Sequence, residues 1–279
     1  MDNINWYPGH MKKTRELIKE NLKMVNVVIE VIDSRIPVSS RNPLIRQMTE
    51  NKKRITILNK SDLSDEKANR LWAEKLSAEG STALIANCMK GDGIQKLFRI
   101  LESERDKRNR DSGRQKAFRL MIAGVPNVGK FSLINRMTGK KSTQVGDRPG
   151  VTKGKQWLTL KNGMQLLDTP GILWPKFEDP KVGLDLAFCG SIKDEILDTE
   201  TLALELITVL RQEYPEMLKA RYGLEELADM PLGDMEAIAR NRGFILPGKK
   251  IDYTRTANTV LDEFRGGKIG RITLEWPEK

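Results

Sequence analysis

The sequence is poor in the residues that staple or ligate. Its 279 residues include two cysteines, Cys88 and Cys189, and one histidine, His10. Two lone thiols build neither a disulfide framework nor a zinc site, and they fit a reducing cytosol. No run approaches the roughly 18 consecutive apolar residues of a membrane-crossing helix, so no membrane partner is expected. The opening Met1-Asp2-Asn3-Ile4-Asn5-Trp6 lacks the basic and apolar regions of a secretory signal. Internal repeats are also missing. The location these absences leave is cytoplasmic.

What is present is enough apolar material, 39%, for a sizeable core, and an uneven charge. Residues 1–180 carry 34 Lys and Arg against 20 Asp and Glu, a net +14, whereas residues 181–279 carry 14 against 18, a net −4. A first domain this basic favours a polyanionic partner, nucleic acid or a particle made of it. A solubilising surface would account for the same count.

Val25–Ile32, Arg54–Leu58, Ala83–Ala86 and Phe118–Ala123 read as strands, and Ala68–Ala78 as a helix between two of them. Trp157–Leu160 and Met164–Leu167 flank Asn162-Gly163, a two-residue hairpin signal. Strands alternating with helical segments predict an α/β fold with a mostly parallel sheet, to which the hairpin adds an antiparallel edge. The mixed-charge stretch Glu102–Lys116 reads as a solvated helix end or linker. Beyond about Pro180 the pattern is helical, over Thr199–Gln212, Pro215–Tyr222, Asp234–Asn241 and Thr256–Phe264, with Ile272–Trp276 as a short strand. The expected domains are therefore 1–180 and 181–279.

Gly124-Val125-Pro126-Asn127-Val128-Gly129-Lys130-Phe131 follows a predicted strand, opens a predicted helix at Ser132–Met137, and departs from the phosphate-loop pattern G-x-x-x-x-G-K-[ST] only at its last position. In such a loop the backbone N–H groups of residues such as Asn127, Val128 and Gly129 turn toward phosphate oxygens, the helix start adds favourable partial charge, and Lys130 reaches the β- and γ-phosphates. The last position should carry a hydroxyl for Mg²⁺, and Phe131 has no oxygen to offer a hard cation. Ser132 follows, but about 100° around the helix. Asp168-Thr169-Pro170-Gly171 matches D-x-x-G: Asp168 would hold a metal-bound water and the Gly171 N–H would meet the γ-phosphate. The intervening Gly146–Thr152 is either a surface turn or a loop whose Thr152 hydroxyl reaches Mg²⁺.

Asn59-Lys60-Ser61-Asp62 matches N-K-x-D directly after a strand. The Asp62 carboxylate can accept from guanine N1–H and the exocyclic amine, whereas adenine offers an acceptor at N1; a buried mismatch of that kind discriminates strongly. The Lys60 stem can lie along the base, and Asn87 and Cys88 could supply backbone contacts. In ordinary GTPases this motif follows the phosphate loop. Here it precedes it, so either the tetrapeptide is accidental and the chain a P-loop ATPase, or the chain is circularly permuted, which is tolerated when the break falls in a surface loop.

At this point the sequence resembles a known family, the circularly permuted ribosome biogenesis GTPase A (YlqF/RbgA) family. The resemblance is carried by Trp6-Tyr7-Pro8-Gly9-His10-Met11, Asp33-Ser34-Arg35-Ile36-Pro37, Ser40-Arg41-Asn42-Pro43, Gly146–Thr152 and Asp168–Lys176, and it extends over most of the chain. It implies a permuted P-loop GTPase domain followed by a helical, RNA-contacting domain. It implies a GTP/GDP-binding factor in late maturation of the large ribosomal subunit, with rRNA and ribosomal proteins as partners and hydrolysis stimulated by the particle. A monomer is expected. Ile172 stands where many GTPases place a water-orienting Gln, so the resemblance gives that part to His10, which could equally be a surface or rRNA contact. Asn127 matches a loop Asn that in related GTPases helps hold K⁺, and could otherwise brace the loop. The family has Ser where this chain has Phe131, which leaves open a second reading, a non-hydrolysing particle-binding module.

Overall fold

A computed structural model describes residues 16, 18–113, 116–139, 157–169, 171, 173–174 and 177–277, of Asp168 the backbone alone. These fall into two compact units, one formed by the chain up to Glu178 together with Glu275–Lys279, the other by Asp179–Leu274. The last residues thus belong with the first unit rather than with the helical one.

The first unit is built on a six-stranded sheet. Its strands are β1 (Val27–Asp33), β2 (Lys53–Asn59), β3 (Thr82–Ile85), β4 (Arg119–Ala123), β5 (Trp157–Thr159) and β6 (Gln165–Asp168), in the order β3-β2-β1-β4-β6-β5. All neighbours pair in parallel except β5 with β6. β1, V-V-I-E-V-I-D, is buried at every position, as a strand covered on both faces must be. Val28, Met121 and Leu167 pack against Ile45 of α1 (Pro43–Met48), together with Ile18 and Leu22. Ile32 and Leu58 pack against Trp72 and Leu76 of α2 (Glu66–Ala78). Asp65 starts α2 by accepting from the N–H groups of Lys67 and Ala68 at 2.7 and 3.0 Å, the ordinary way to satisfy a helix's free first turn.

The charged stretch expected as a helix end or linker is the outer half of α3 (Ile94–Ser112), whose buried anchors Ile94, Leu97 and Leu101 all lie in its first half. From β1 the chain runs outward through β2 to β3, and from β4 it runs outward the other way to β6. The carboxyl ends of the neighbours β1 and β4 therefore face a crevice at the switch point, where open α/β sheets take their ligands. The loop after β4 leads into α4 (Lys130–Thr138).

The second unit comprises α5 (Pro180–Phe188), α6 (Thr199–Glu213), α7 (Pro215–Tyr222), α8 (Pro231–Arg242), the two-residue strands β7 (Ile245–Leu246) and β8 (Lys250–Ile251), and α9 (Tyr253–Arg265). Leu202, Leu206, Leu210, Ile238, Val260 and Phe264 form its interior. The expected strand Ile272–Trp276 is not one. Thr273 spends its backbone on a side chain: its carbonyl accepts from the Tyr214 hydroxyl at 2.7 Å and its N–H donates back at 3.2 Å.

Candidate functional site

The loop 124–129 crosses the carboxyl end of β4. Buried Val125 and Val128 anchor it, while Asn127 turns outward in the left-handed region, φ +57°, which Asn tolerates better than most residues. Gly129 precedes α4 with φ +93°, and a Cβ there would stand 2.2 Å from Asn59 Nδ2. No side chain caps the helix at this residue, and the helix start turns its partial positive charge toward the loop's concave side. Lys130 Nζ donates to the loop carbonyls of Gly124 at 3.1 Å and Val125 at 2.6 Å.

The D-x-x-G segment closes on this loop. β6 pairs its final residue, Asp168, with Ile122 of β4, and buried Thr169 fixes the next step by donating its hydroxyl to Ile122 O at 2.6 Å. Gly171 then passes so close that a Cβ would lie 2.8 Å from Pro126 N and 2.9 Å from Lys130 Nζ.

The N-K-x-D segment meets the same loop from the other side. Asn59 Nδ2 donates to Val128 O at 2.7 Å, and its Oδ1 accepts from Cys88 N at 2.9 Å. One side chain thereby joins the loops after β2, β3 and β4. Ser61 N donates to Ala86 O at 3.2 Å, and Asn69 Nδ2 to Ser61 O at 3.0 Å, which holds the turn. Asp62 is partly exposed, with Lys90 Nζ 3.9 Å from its carboxylate. Asn87 shapes the neighbouring loop, its Oδ1 accepting from Lys90 N at 3.0 Å. Cys88 is fully buried, and that burial pushes its thiol up to about 12, so it is an inert packing group. Arg136 of α4 donates to the carbonyls of Cys88 and Met89.

Beneath Lys60 lies a buried ion-pair cluster. The Lys60 ammonium is 3.0 Å from Asp33 Oδ2. Arg35, itself 1% exposed, holds the same carboxylate through Nε at 2.9 Å and Nη2 at 2.7 Å. Burial alone would raise the Asp33 carboxyl, but the Arg35 and Lys60 charges outweigh it and hold the group well below the usual carboxylate range.

Asn59, Lys60, Asn87, Cys88, Asn127, Val128, Gly129, Lys130 and Gly171 thus gather around loops at one sheet edge, with Asp62 on the rim. Ser132 is half-buried and Phe131, at 36%, exposed. His10, Thr152, Ile172 and the loop Gly146–Thr152 lie outside the described residues, as does the side chain of Asp168. Sequence reasoning passed over Thr169, Arg136 and Asp33 as parts of the site. Asp33 carried a signal, since it opens the Asp33–Pro37 motif, but the motif alone does not say what its carboxylate holds.

An N-K-x-D loop and a G-x-x-x-x-G-K loop joined by one asparagine, on strands whose chain order is the reverse of the usual one, define a circularly permuted P-loop GTPase. The comparisons agree. The family model described as a 50S ribosome-binding GTPase matches residues 119–226. The chain is 44% identical over 280 residues to ribosome biogenesis GTPase A of Bacillus cereus, covering 99% of this chain and 95% of that one. It resembles the GDP-bound structure of YlqF with a TM-score of 0.68 and 27% identity, covering 94% of this chain and all of that one. The GNP-bound structure of YlqF from T. maritima gives 0.65 and 28%, with 96% and 99% covered. The chain belongs to the ribosome biogenesis GTPase A family.

Proposed function

We propose that this chain binds GTP between the Asn59–Asp62 and Gly124–Lys130 loops and uses its hydrolysis to time release from a maturing large ribosomal subunit. Asp62 reads guanine and Lys60 lies along the base; the backbone contacts expected of Asn87 and Cys88 fall to their carbonyls, since their N–H groups donate to Asp92 O and Asn59 Oδ1. The Val128, Gly129, Lys130, Phe131 and Ser132 segment cradles the phosphates, and the Gly171 N–H meets the γ-phosphate. The γ-phosphate is what only one nucleotide state offers, so it is the contact able to bias a switch loop. His10 orients the attacking water once the particle positions its segment, and Asn127 helps hold K⁺. The basic first domain meets rRNA phosphates, and the helical domain adds an RNA contact. The protein acts as a cytoplasmic monomer.

The observation that carries this reading is the Asn59 bridge to Val128 O and Cys88 N. The bridge ties the two motifs to one ligand's two ends. Competition binding tests it: GTP and GDP displace a fluorescent GDP analogue and ATP does not. Phosphate release rises when large subunits are added. Equal displacement by ATP would sink the base-site assignment, and release indifferent to the subunits would sink the assembly role.

Magnesium does not fit the loop as the family pattern has it. Phe131 puts an exposed ring where the hydroxyl ligand belongs, and a phenyl ring cannot ligate a hard cation. Thr152 and Asp168 are the protein oxygens proposed for the ion. This one residue is what favours the second reading, a non-hydrolysing rRNA- or particle-binding module whose nucleotide site is impaired.

A further inference from the structure

The buried cluster at the end of β1 has a role that the motifs do not assign. Lysine carries a compact ammonium on a flexible four-carbon stem, and such a chain left free presents no fixed surface to a ligand. Lys60 is not free in this way. Its side chain is 19% exposed, its ammonium rests 3.0 Å from Asp33 Oδ2, and its backbone is held in the left-handed region, φ +58°, by Ser61 N donating to Ala86 O and Leu63 N donating to Lys60 O at 2.8 Å. Asp33 is fixed in turn. Arg35 grips it through the guanidinium and donates its own backbone N–H at 3.1 Å, and the Asp33 N–H donates to Ser40 Oγ at 3.0 Å. Every group below the lysine therefore has a defined place, and the lysine is anchored at both ends.

We propose that Asp33 is a positioning residue for guanine binding: it clamps the Lys60 ammonium so that the methylene stem stands as a fixed apolar ledge for the face of the base. The inference rests on the base-site reading above. Its physical content is preorganisation: a ledge ordered before the ligand arrives spares the ligand the cost of ordering it. Arg35 serves a different end. It compensates the buried Asp33 charge, so the carboxylate can hold a lysine at the rim and remain paired when that lysine shifts.

The test is a double-mutant cycle on GDP affinity with Asp33→Asn, Lys60→Met and the pair, with inorganic pyrophosphate as a competitor blind to the base. Lys60→Met keeps an apolar stem and leaves the Asp33–Arg35 pair intact, so it folds even if Asp33→Asn does not. The expected result is GDP binding weakened about tenfold in each single variant, no further loss in the double variant, and unchanged competition by pyrophosphate. Lys60→Arg, which retains a cation for Asp33, restores most of the affinity. Full GDP affinity in Lys60→Met, or additive losses in the cycle, overturns the proposal. Lys60→Ala separates the two levels. If it too binds GDP normally, the base-site reading has failed; if it binds weakly while Lys60→Met and Asp33→Asn bind normally, only the clamp has failed.

Discussion

Asn59 Nδ2 lies 2.7 Å from the carbonyl oxygen of Val128, a residue 69 positions further along the chain. The same side chain receives the Cys88 N–H, so three loops that contribute to the site share one amide. Both partners are buried, and neither has water to fall back on if the amide is removed.

Asn59→Ala therefore leaves a carbonyl and an N–H unpaired. The expected cost is about 1–3 kcal/mol of stability, seen as a lower thermal midpoint. GDP affinity should fall by about tenfold or more, because the base and phosphate loops lose their common tether. Titration calorimetry checks this, and a variant that binds GDP as well as the parent contradicts it.

Two glycines are predicted to tolerate no side chain. In Gly129→Ala the new methyl collides with Asn59 Nδ2 on a backbone of φ +93°, and in Gly171→Ala it meets Pro126 and Lys130. Alanine in a left-handed conformation alone costs about 1 kcal/mol. The Gly129 variant should lose binding of both GDP and GTP. The Gly171 variant should weaken GTP more than GDP, since the N–H of that residue is the group proposed to meet the γ-phosphate. Equal losses for both nucleotides in the Gly171 variant would place that residue elsewhere than the γ-phosphate.

Phe131→Ser restores the missing hydroxyl. GTP affinity measured in Mg²⁺ should improve by about tenfold or more, while affinity in a chelator stays as it was. Turnover should rise with it. No change in either condition would mean that this position does not face the ion.

Glu30 in the middle of β1 is 2% exposed, and neither carboxylate oxygen has a hydrogen-bond partner. Burial raises its pKa, opposed by the charges of Arg41, Arg54 and Arg46. A carboxyl raised in the folded state contributes stability that is complete below its unfolded pKa of about 4.3 and is lost as pH rises through the folded value. Glu30→Gln removes that loss. Its advantage in thermal midpoint should be larger at pH 8 than at pH 5, by about 2–4 °C for each roughly 1 kcal/mol gained. A difference from the parent that is constant across this range would show that Glu30 does not titrate on unfolding.

The parts of the fold legible in the sequence were those that short-range physics decides. β1, β2 and β4 are buried on both faces, so their apolar runs stand out, and Asn162-Gly163 marks the hairpin between β5 and β6. The outer half of α3 reads only as a helix end or linker because it has no apolar anchors. α1 and α5 went unread although Asn42-Pro43 and Asp179-Pro180 form cap-and-proline starts. Ile272–Trp276 misled, since the hydroxyl that takes its backbone bonds belongs to Tyr214, far away in sequence. The site divides the same way. Lys130 and Asn59 sit in local motifs and could be found, whereas the contacts of Asp33 with Lys60, Thr169 with Ile122 and Arg136 with Cys88 exist only once the strands are side by side.

Glu275 accepts from the backbone N–H groups of Val38 and Ser39, and its own carbonyl receives the Trp72 indole N–H at 2.8 Å. These contacts span 203 to 237 positions of chain, so the first unit is closed by a segment that reaches it only after the whole helical segment has been traversed.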